Sequence, residues 1–330
     1  MVSLRAVLRD EAFYDFSLSE IEEKYQEWVQ EDKYVILNRV QFKAFKIRDS
    51  RTNQYFSVRL PIKKETYAVK CSKRGNDVYR FRVYSKFKGL ASKAEKLVFF
   101  NPKDRGEKKT KALWVTLTYD PSRCSFKDAW RNIGNEFNRF MAYVRKHFGK
   151  VSCCRVFESY KSGHPHIHCI LLFEETEFKA FRDRKGQFRI KEKDAIASGW
   201  HSFVDVKAMY SLGKSFSYLK KYLLKSINAE TKDSLVLKTL ALCWLFCKRA
   251  FSVSGKFRQL LSDLIKYMHN TNRPLCQVTL SGEILLEYKF YVIGFVPADV
   301  VRLKKDIWFS RLRSEQVDSV EQFLAVSEYS

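Results

Sequence analysis

The sequence predicts an α+β fold, in which a central antiparallel sheet with flanking helices follows a small basic β-rich N-terminal module and precedes a mixed helical C-terminal region. Three observations carry this expectation. From 112 to 227 the local patterns run strand, helix, strand, hairpin, strand, strand, helix, unlike the repeated βα units of a doubly wound fold. Phe126, Trp130, Ile133, Phe137, Met141, Val144 and Phe148 recur at spacings of three and four, one apolar stripe of a helix. A content of 45% hydrophobic and 15% aromatic residues can fill a core and excludes a mostly disordered chain.

Residues 1–32 are relatively acidic, and their scattered apolar positions suggest one or two short helices. From Lys33 to Lys88, the runs KYVILNRVQFKAFKIR, YFSVRLPI, TYAVKCSKR and VYRFRVYSKF are rich in β-branched and aromatic residues, with DSRTNQ and KRGND as turns. Tyr79, Phe81 and Val83 alternate with Arg80 and Arg82, which predicts a strand with arginines on one face. NPKDRGEKKTK (101–111) reads as a linker or mobile loop. ALWVTLTYD (112–120) predicts a central strand, and Ser125 with Asp128 three residues on predicts a capped helix ending at Gly149. CCRVFESY (153–160) and HPHIHCILLFEE (164–175) predict strands joined by a turn at Ser162-Gly163. A short strand over Gln187 to Lys191, a strand over 202–210 and a helix over 215–227 follow. SLVLKTLALCWLFCKRAF (234–251) and FRQLLSDLIKYMHN (257–270) predict helices, and the remainder mixes strands and helix. The expected domains are 1–105 (short helices, then the basic module), 112–230 (catalytic) and 235–330 (accessory, or extending the catalytic domain).

Lysine and arginine number 61 against 37 acidic residues, a formal charge of +24, which points to a polyanionic partner, most often nucleic acid. An anionic membrane surface or simple solubility is the alternative. Arg48, Arg59, Arg74, Arg80 and Arg82 of the basic module, with Lys214 ahead of the 215–227 helix, are the candidate DNA contacts. The eight cysteines form no CxxC and no secreted-scaffold pattern, so buried free thiols are expected. The N-terminus turns acidic too early for a signal peptide, and Leu240 to Cys247 is too short to span a bilayer. A cytoplasmic chain with no membrane partner is expected.

Three of the six histidines, His164, His166 and His168, fall within five positions. On an extended backbone they point the same way, and Pro165 keeps His164 out of the helical region. Imidazoles on alternate strand positions can share one metal ion; on a solvated strand they would be plain polar residues. Glu158, across the hairpin, and His164 compete as the third ligand. Glu158 with His166 and His168 suits Mg²⁺ or Mn²⁺, whereas three histidines suit Zn²⁺ or Mn²⁺. Downstream, Tyr218 and Tyr222 stand one helical turn apart, as do Lys221 and Lys225. A nearby ammonium and a divalent ion would favour phenolate, as nucleophilic catalysis requires. The alternative is an amphipathic helix with Tyr and Lys at its rim.

HPHIH followed by CILLF resembles the HUH motif of rolling-circle replication initiators, and YLKKYLLK resembles the two-tyrosine motif of the same superfamily. LWVTLTYD resembles the strand motif that precedes both, and Trp200 with the following strand resembles the segment before the tyrosine helix. The resemblance covers about residues 112–227. It implies a ferredoxin-like or RRM-like nicking domain, with the histidines on central strands and the tyrosine helix packed opposite them. Members cut one DNA strand at an origin and stay attached through a 5′-phosphotyrosine. Carried over, His166, His168 and Glu158 are the metal ligands, Tyr218 and Tyr222 the nucleophiles, and Lys221 and Lys225 the lysines of that motif. The implied partners are single-stranded or hairpin origin DNA of a mobile element and a host polymerase and helicase; the owner is a plasmid or virus. Gly213, Lys214 and Ser215 stand where single-tyrosine initiators can carry an acidic residue, so termination by the second tyrosine is expected. Gly255-Lys256 is not a Walker A motif, so no onboard helicase is expected. A transposase or mobilisation relaxase built on the same residues, and a non-catalytic nucleic-acid-binding protein, are the rival readings.

Overall fold

The computed structural model describes residues 16–48, 52, 54–229, 233–262, 285–303 and 307–327. The fold is α+β, with antiparallel sheets flanked by helices, and the chain divides into two compact units.

The larger unit spans residues 2–29 and 73–268. Its described elements begin with α1 (Leu18–Gln30) and α2 (Asp77–Ala94) and continue through β3 (Lys108–Thr110), β4 (Ala112–Thr118), α3 (Phe126–Phe148), β5 (Val151–Ser159) and β6 (Pro165–Phe173). Then come β7 (Phe178–Arg182), β8 (Phe188–Ile190), α4 (Lys193–Ala197), β9 (Val204–Ala208), α5 (Leu212–Lys225), α6 (Ser234–Leu245) and β10 (Phe251–Ser254). Five strands form one antiparallel sheet in the order β10-β5-β6-β4-β9, and β3-β7-β8 form a smaller one.

Both faces of the five-stranded sheet are buried. Leu113, Val115, Leu117, Ile167, Cys169 and Leu171 join the core under α3, whereas Ala112, Trp114, Val156, Ile170 and Leu172 join the core under α2 and α5. Successive side chains alternate between faces, so a strand covered on both sides reads as a nearly unbroken apolar run. This is why ALWVTLT and CILLF look central in the sequence. The α3 stripe is buried as its spacing predicts, and the Ser125 hydroxyl caps the helix by accepting from the Asp128 N–H. Cys153, Cys154, Cys169 and Cys243 are buried free thiols.

The smaller unit comprises residues 30–72 and 269–330. β1 (Lys33–Arg48) and β2 (Tyr55–Lys70) form a long antiparallel ribbon that β11 (Leu285–Pro297) and β12 (Phe309–Arg311) extend to the order β11-β1-β2-β12. α7 (Ala298–Val301) and α8 (Ser314–Ser327) complete it, with Tyr34, Ile36, Ala68, Val296, Val301, Leu312 and Val320 as its core. The division therefore does not follow the composition shifts at 105 and 235.

Several local expectations need correction. The run after Asn76 is the helix α2 and not a strand. Asn76 caps it by accepting from the Tyr79 N–H at 2.9 Å, and Phe87, Leu90 and Ala94 are buried at helical spacing while Phe81 is 58% exposed. Residues 108–110 of the expected linker form β3, and β7 went unread. α6 stops at Leu245, and Cys247 takes a left-handed backbone (φ 51°) before β10 begins. The helix expected over 257–270 is present from 256 to 262, and its remainder lies outside the described residues, as do 1–15 of the N-terminal segment. No helix among the described residues is long and apolar enough to cross a membrane.

Candidate active site

Strand register assembles the first half of the site. On β6, His166 and His168 are two apart and share a face; Glu158 of β5 stands opposite His166, and Val156 stands opposite His168. From β4, Thr118 and Thr116 pair with the same two histidines. Residues directly opposite in an antiparallel pair project to the same side, so Glu158, both imidazoles and both threonines line one face. Trp114 lies two residues from Thr116 on that face, within the core under α5.

α5 supplies the second half. Ser211 caps it, its hydroxyl accepting from the Lys214 N–H at 3.2 Å. Leu212, Phe216, Leu219 and Leu223, spaced four, three and four apart, are buried against the sheet. That anchoring turns Tyr218 and Tyr222 toward the histidine face. The Tyr222 ring stacks on His168 with centroids 3.6 Å apart, and Tyr218 meets Trp114 edge-on at 4.5 Å. The Tyr222 hydroxyl donates to the Tyr218 hydroxyl at 3.3 Å.

A directed chain of hydrogen bonds fixes His168. The Trp114 indole N–H, which can only donate, reaches Thr116 Oγ1 at 3.0 Å. The Thr116 hydroxyl lies 3.3 Å from His168 Nδ1, and His168 Nε2 lies 2.9 Å from Glu158 Oε2. This order leaves Nδ1 as acceptor and Nε2–H as donor to the carboxylate. Glu158 Oε1 in turn accepts from the Lys225 ammonium at 3.1 Å. Burial would raise the Glu158 pKa, but the His168 hydrogen bond and Lys225 overcome it and hold the carboxyl below its usual range. Burial lowers the His168 pKa despite Glu158. His166 is brought down to about 3, first by burial and then by His168. Its ring lies 4.6 Å from those of His168 and Tyr160, and its Nε2 is buried with no hydrogen-bond partner.

The phenols depart from expectation. Burial, then the hydrogen bond from Tyr222 to Tyr218 and the charge of Glu158, push the Tyr222 pKa up. Its neighbour Lys225 is engaged by Glu158, and Lys221 lies 5.8 Å from the centre of the Tyr218 ring. Tyr222 is therefore a neutral phenol in this arrangement.

His164 does not join the cluster. Its Nε2 is 3.0 Å from the Cys124 carbonyl and its Nδ1 is 3.1 Å from Ser162 Oγ. With both nitrogens engaged in the hairpin loop, it stabilises the turn, where Gly163 takes φ +85°. The expectation that all three histidines point one way fails because His164 precedes the first strand residue, Pro165.

The donor set of His166, His168 and Glu158 fits a divalent cation in its chemistry: two neutral imidazoles, one with a buried unpartnered nitrogen, and an ionised carboxylate. As they stand, no group of three or more His, Cys, Asp or Glu side chains among the described residues is arranged to hold an ion, because Glu158 is shared between His168 and Lys225.

The expected DNA contacts divide. Arg82 and Lys214 are exposed. Arg80 donates to Asn228 Oδ1 at 2.7 Å, and on the helix it points well away from Arg82. Arg74 bonds the Lys248 carbonyl and lies over the Tyr79 ring. Arg48 and Arg59 lie in β1 and β2, and their side chains are outside the described residues. Sequence reasoning missed Trp114, Thr116 and Lys207, whose ammonium lies 6.0 Å from the centre of the Tyr218 ring. Alternation counted outward from Leu113 and Val115 would have placed Trp114 and Thr116 on the histidine face.

Residues 112–227 match a family model described as a replication-associated protein of the ORF2 type. No curated protein and no solved structure matches the chain.

Proposed function

We propose that the chain is a replication initiator that nicks and rejoins single-stranded origin DNA through Tyr218 and Tyr222. The observation that carries this reading is the stacking of Tyr222 on His168, which brings phenols and imidazoles to one side of the sheet. The replication-associated family match over the same residues supports it.

In this reading the scissile phosphate enters between α5 and the β6 histidines. A tyrosine Oη attacks phosphorus and forms a phosphotyrosine ester, while the bond from phosphorus to the 3′ oxygen breaks. The phenol gives up one proton and the leaving 3′ oxygen gains one, so the exchange balances without water. Lys221 and Lys225 lie beside the phenols and offset charge on the phosphate and the developing phenolate. Trp114 packs against both tyrosine rings, at 4.5 and 5.7 Å, and limits their reorientation. Binding of phosphate would draw Lys225 from Glu158 and lower the cost of deprotonating Tyr222. His166, His168 and Glu158 would hold a Mg²⁺ or Mn²⁺ ion, which supplies Lewis-acid polarisation of the phosphate. Rejoining is the same exchange in reverse, with the second tyrosine available for a second transfer.

The test is incubation with labelled single strands tiled from the replicon that encodes the chain, followed by denaturing electrophoresis. A protein–DNA adduct is expected with Mg²⁺ or Mn²⁺, and its loss is expected on chelation and in the Tyr218→Phe/Tyr222→Phe double variant. An adduct that survives in the double variant would refute the assignment.

A further inference from the structure

A second concentration of positive charge surrounds β10, the outermost strand of the five-stranded sheet. Ser252 pairs with Arg155 and Ser254 with Cys153, so these serines face α3, whereas Phe251 and Val253 pack into the core under α2. A cavity opens on each side of the strand, and both reach Ser252 and Val253. The first has a volume of about 260 Å³ and carries Arg145, Arg155 and Asn138. The second, about 700 Å³, carries Arg74, Lys86, Arg249 and Arg258. No aspartate or glutamate lines either one among the described residues.

Arg155 is the most telling residue. Its guanidinium lies 4.1 Å from the Phe137 ring centre and 5.1 Å from that of Phe157, and its Nη1 is buried with no hydrogen-bond partner. Arg74 Nη1, in the second cavity, is likewise buried and unpartnered. A buried charged donor left unused costs on the order of 1–3 kcal/mol or more, which an anion reaching it would recover. Arginine suits this task because its planar fork matches phosphate oxygens.

We infer that the β10 edge binds the phosphate backbone of a single-stranded nucleic acid, which passes from the Arg145–Arg155 cavity to the Arg74–Arg249–Arg258 cavity. A lone phosphate would occupy one cavity only. Cations on both faces of one edge strand ask the ligand to turn within a strand's width. A duplex, with a persistence length of about 50 nm, resists that turn, and a single strand makes it freely. Tyr79 and Phe137 offer aromatic faces beside the cations for unstacked bases. The surface is sequence-independent by its chemistry, and it does not depend on the tyrosine or histidine side chains.

The test is fluorescence anisotropy of a labelled dT20 strand with the full chain across a salt series. Arg145, Arg249 and Arg258 are exposed, and their replacement by glutamine leaves the buried core untouched. At about 0.7 of slope per phosphate contact on single strands, the Arg145→Gln/Arg249→Gln/Arg258→Gln variant should flatten the plot of log affinity against log salt by about 2. An Arg184→Gln/Lys185→Gln/Lys191→Gln control, also on exposed residues, removes the same charge elsewhere and should keep the parent slope. Equal slopes for the site variant and the parent would overturn the inference, as would an equal loss in the control. Complete displacement of dT20 by dTMP at the same phosphate concentration would also overturn it, in favour of a mononucleotide pocket. Because the readout is binding alone, its failure is distinct from failure of cleavage.

Discussion

Thr116 and Glu158 hold opposite nitrogens of the His168 ring, while His166 beside it keeps a buried nitrogen unused. Such outer partners orient ligands, and losing one typically lowers metal affinity about 10–100-fold. Thr116→Val, which keeps shape and removes the hydroxyl, should weaken Mn²⁺ binding by that amount in calorimetry; unchanged affinity would contradict the role. His166 also makes stability depend on pH. Its folded pKa is about 3, below the unfolded value of about 6.5, so the unfolded chain takes up a proton that the folded chain refuses. The His166 contribution is complete above about pH 6.5 and is lost as pH falls toward 3. In chelator, His166→Leu should flatten the fall of melting temperature across that window, and an unaltered fall would show that the ring is solvated.

The elements differ in how openly the sequence declares them. α3 was legible because its apolar stripe, its Ser125 cap and its Gly149 stop all agree. β4 and β6 were legible because two-sided burial makes their runs uninterrupted, and the register of β5 with β6 then puts Glu158 opposite His166, as the hairpin turn suggested. α2 was misread because Tyr79, Phe81 and Val83 alternate with arginines over a window too short to separate period 2 from period 3.6. The signals that decide it are the Asn76 cap and the later Phe87, Leu90 and Ala94. Asn76→Ala should cost about 1 kcal/mol by chemical denaturation. Phe81→Glu should change stability by less than about 0.5 kcal/mol, whereas Phe87→Ala should cost about 3–5 kcal/mol. A large loss at Phe81 would restore the strand reading. His164 was the other miss: its loop partners, Cys124 and Ser162, are set by tertiary contacts that strand periodicity does not encode.

Over the whole molecule, one unit joins distant parts of the chain: β11 runs along β1, and β12 pairs with the end of β2. Nothing in local patterning announces such a pairing, because an edge strand chooses its neighbour through register and core contacts. Removing residues 285–330 should strip hydrogen-exchange protection from β1 and β2 while β4 to β6 keep theirs; full retention in β1 would contradict the sheet order. The charge of +24 then acquires two proposed uses on the larger unit, a reacting phosphate between α5 and β6 and a trailing backbone around β10.

The central claim is that α5 carries a nucleophile to a phosphate held against the histidine face. Peptide-resolved mass spectrometry of the full chain after incubation with its own replicon's single-stranded DNA and Mn²⁺ tests it most directly. The account predicts a nucleotide phosphate on Tyr218 or Tyr222 and on no other side chain. A modified residue elsewhere, or cleaved DNA with every tyrosine unmodified, would contradict it.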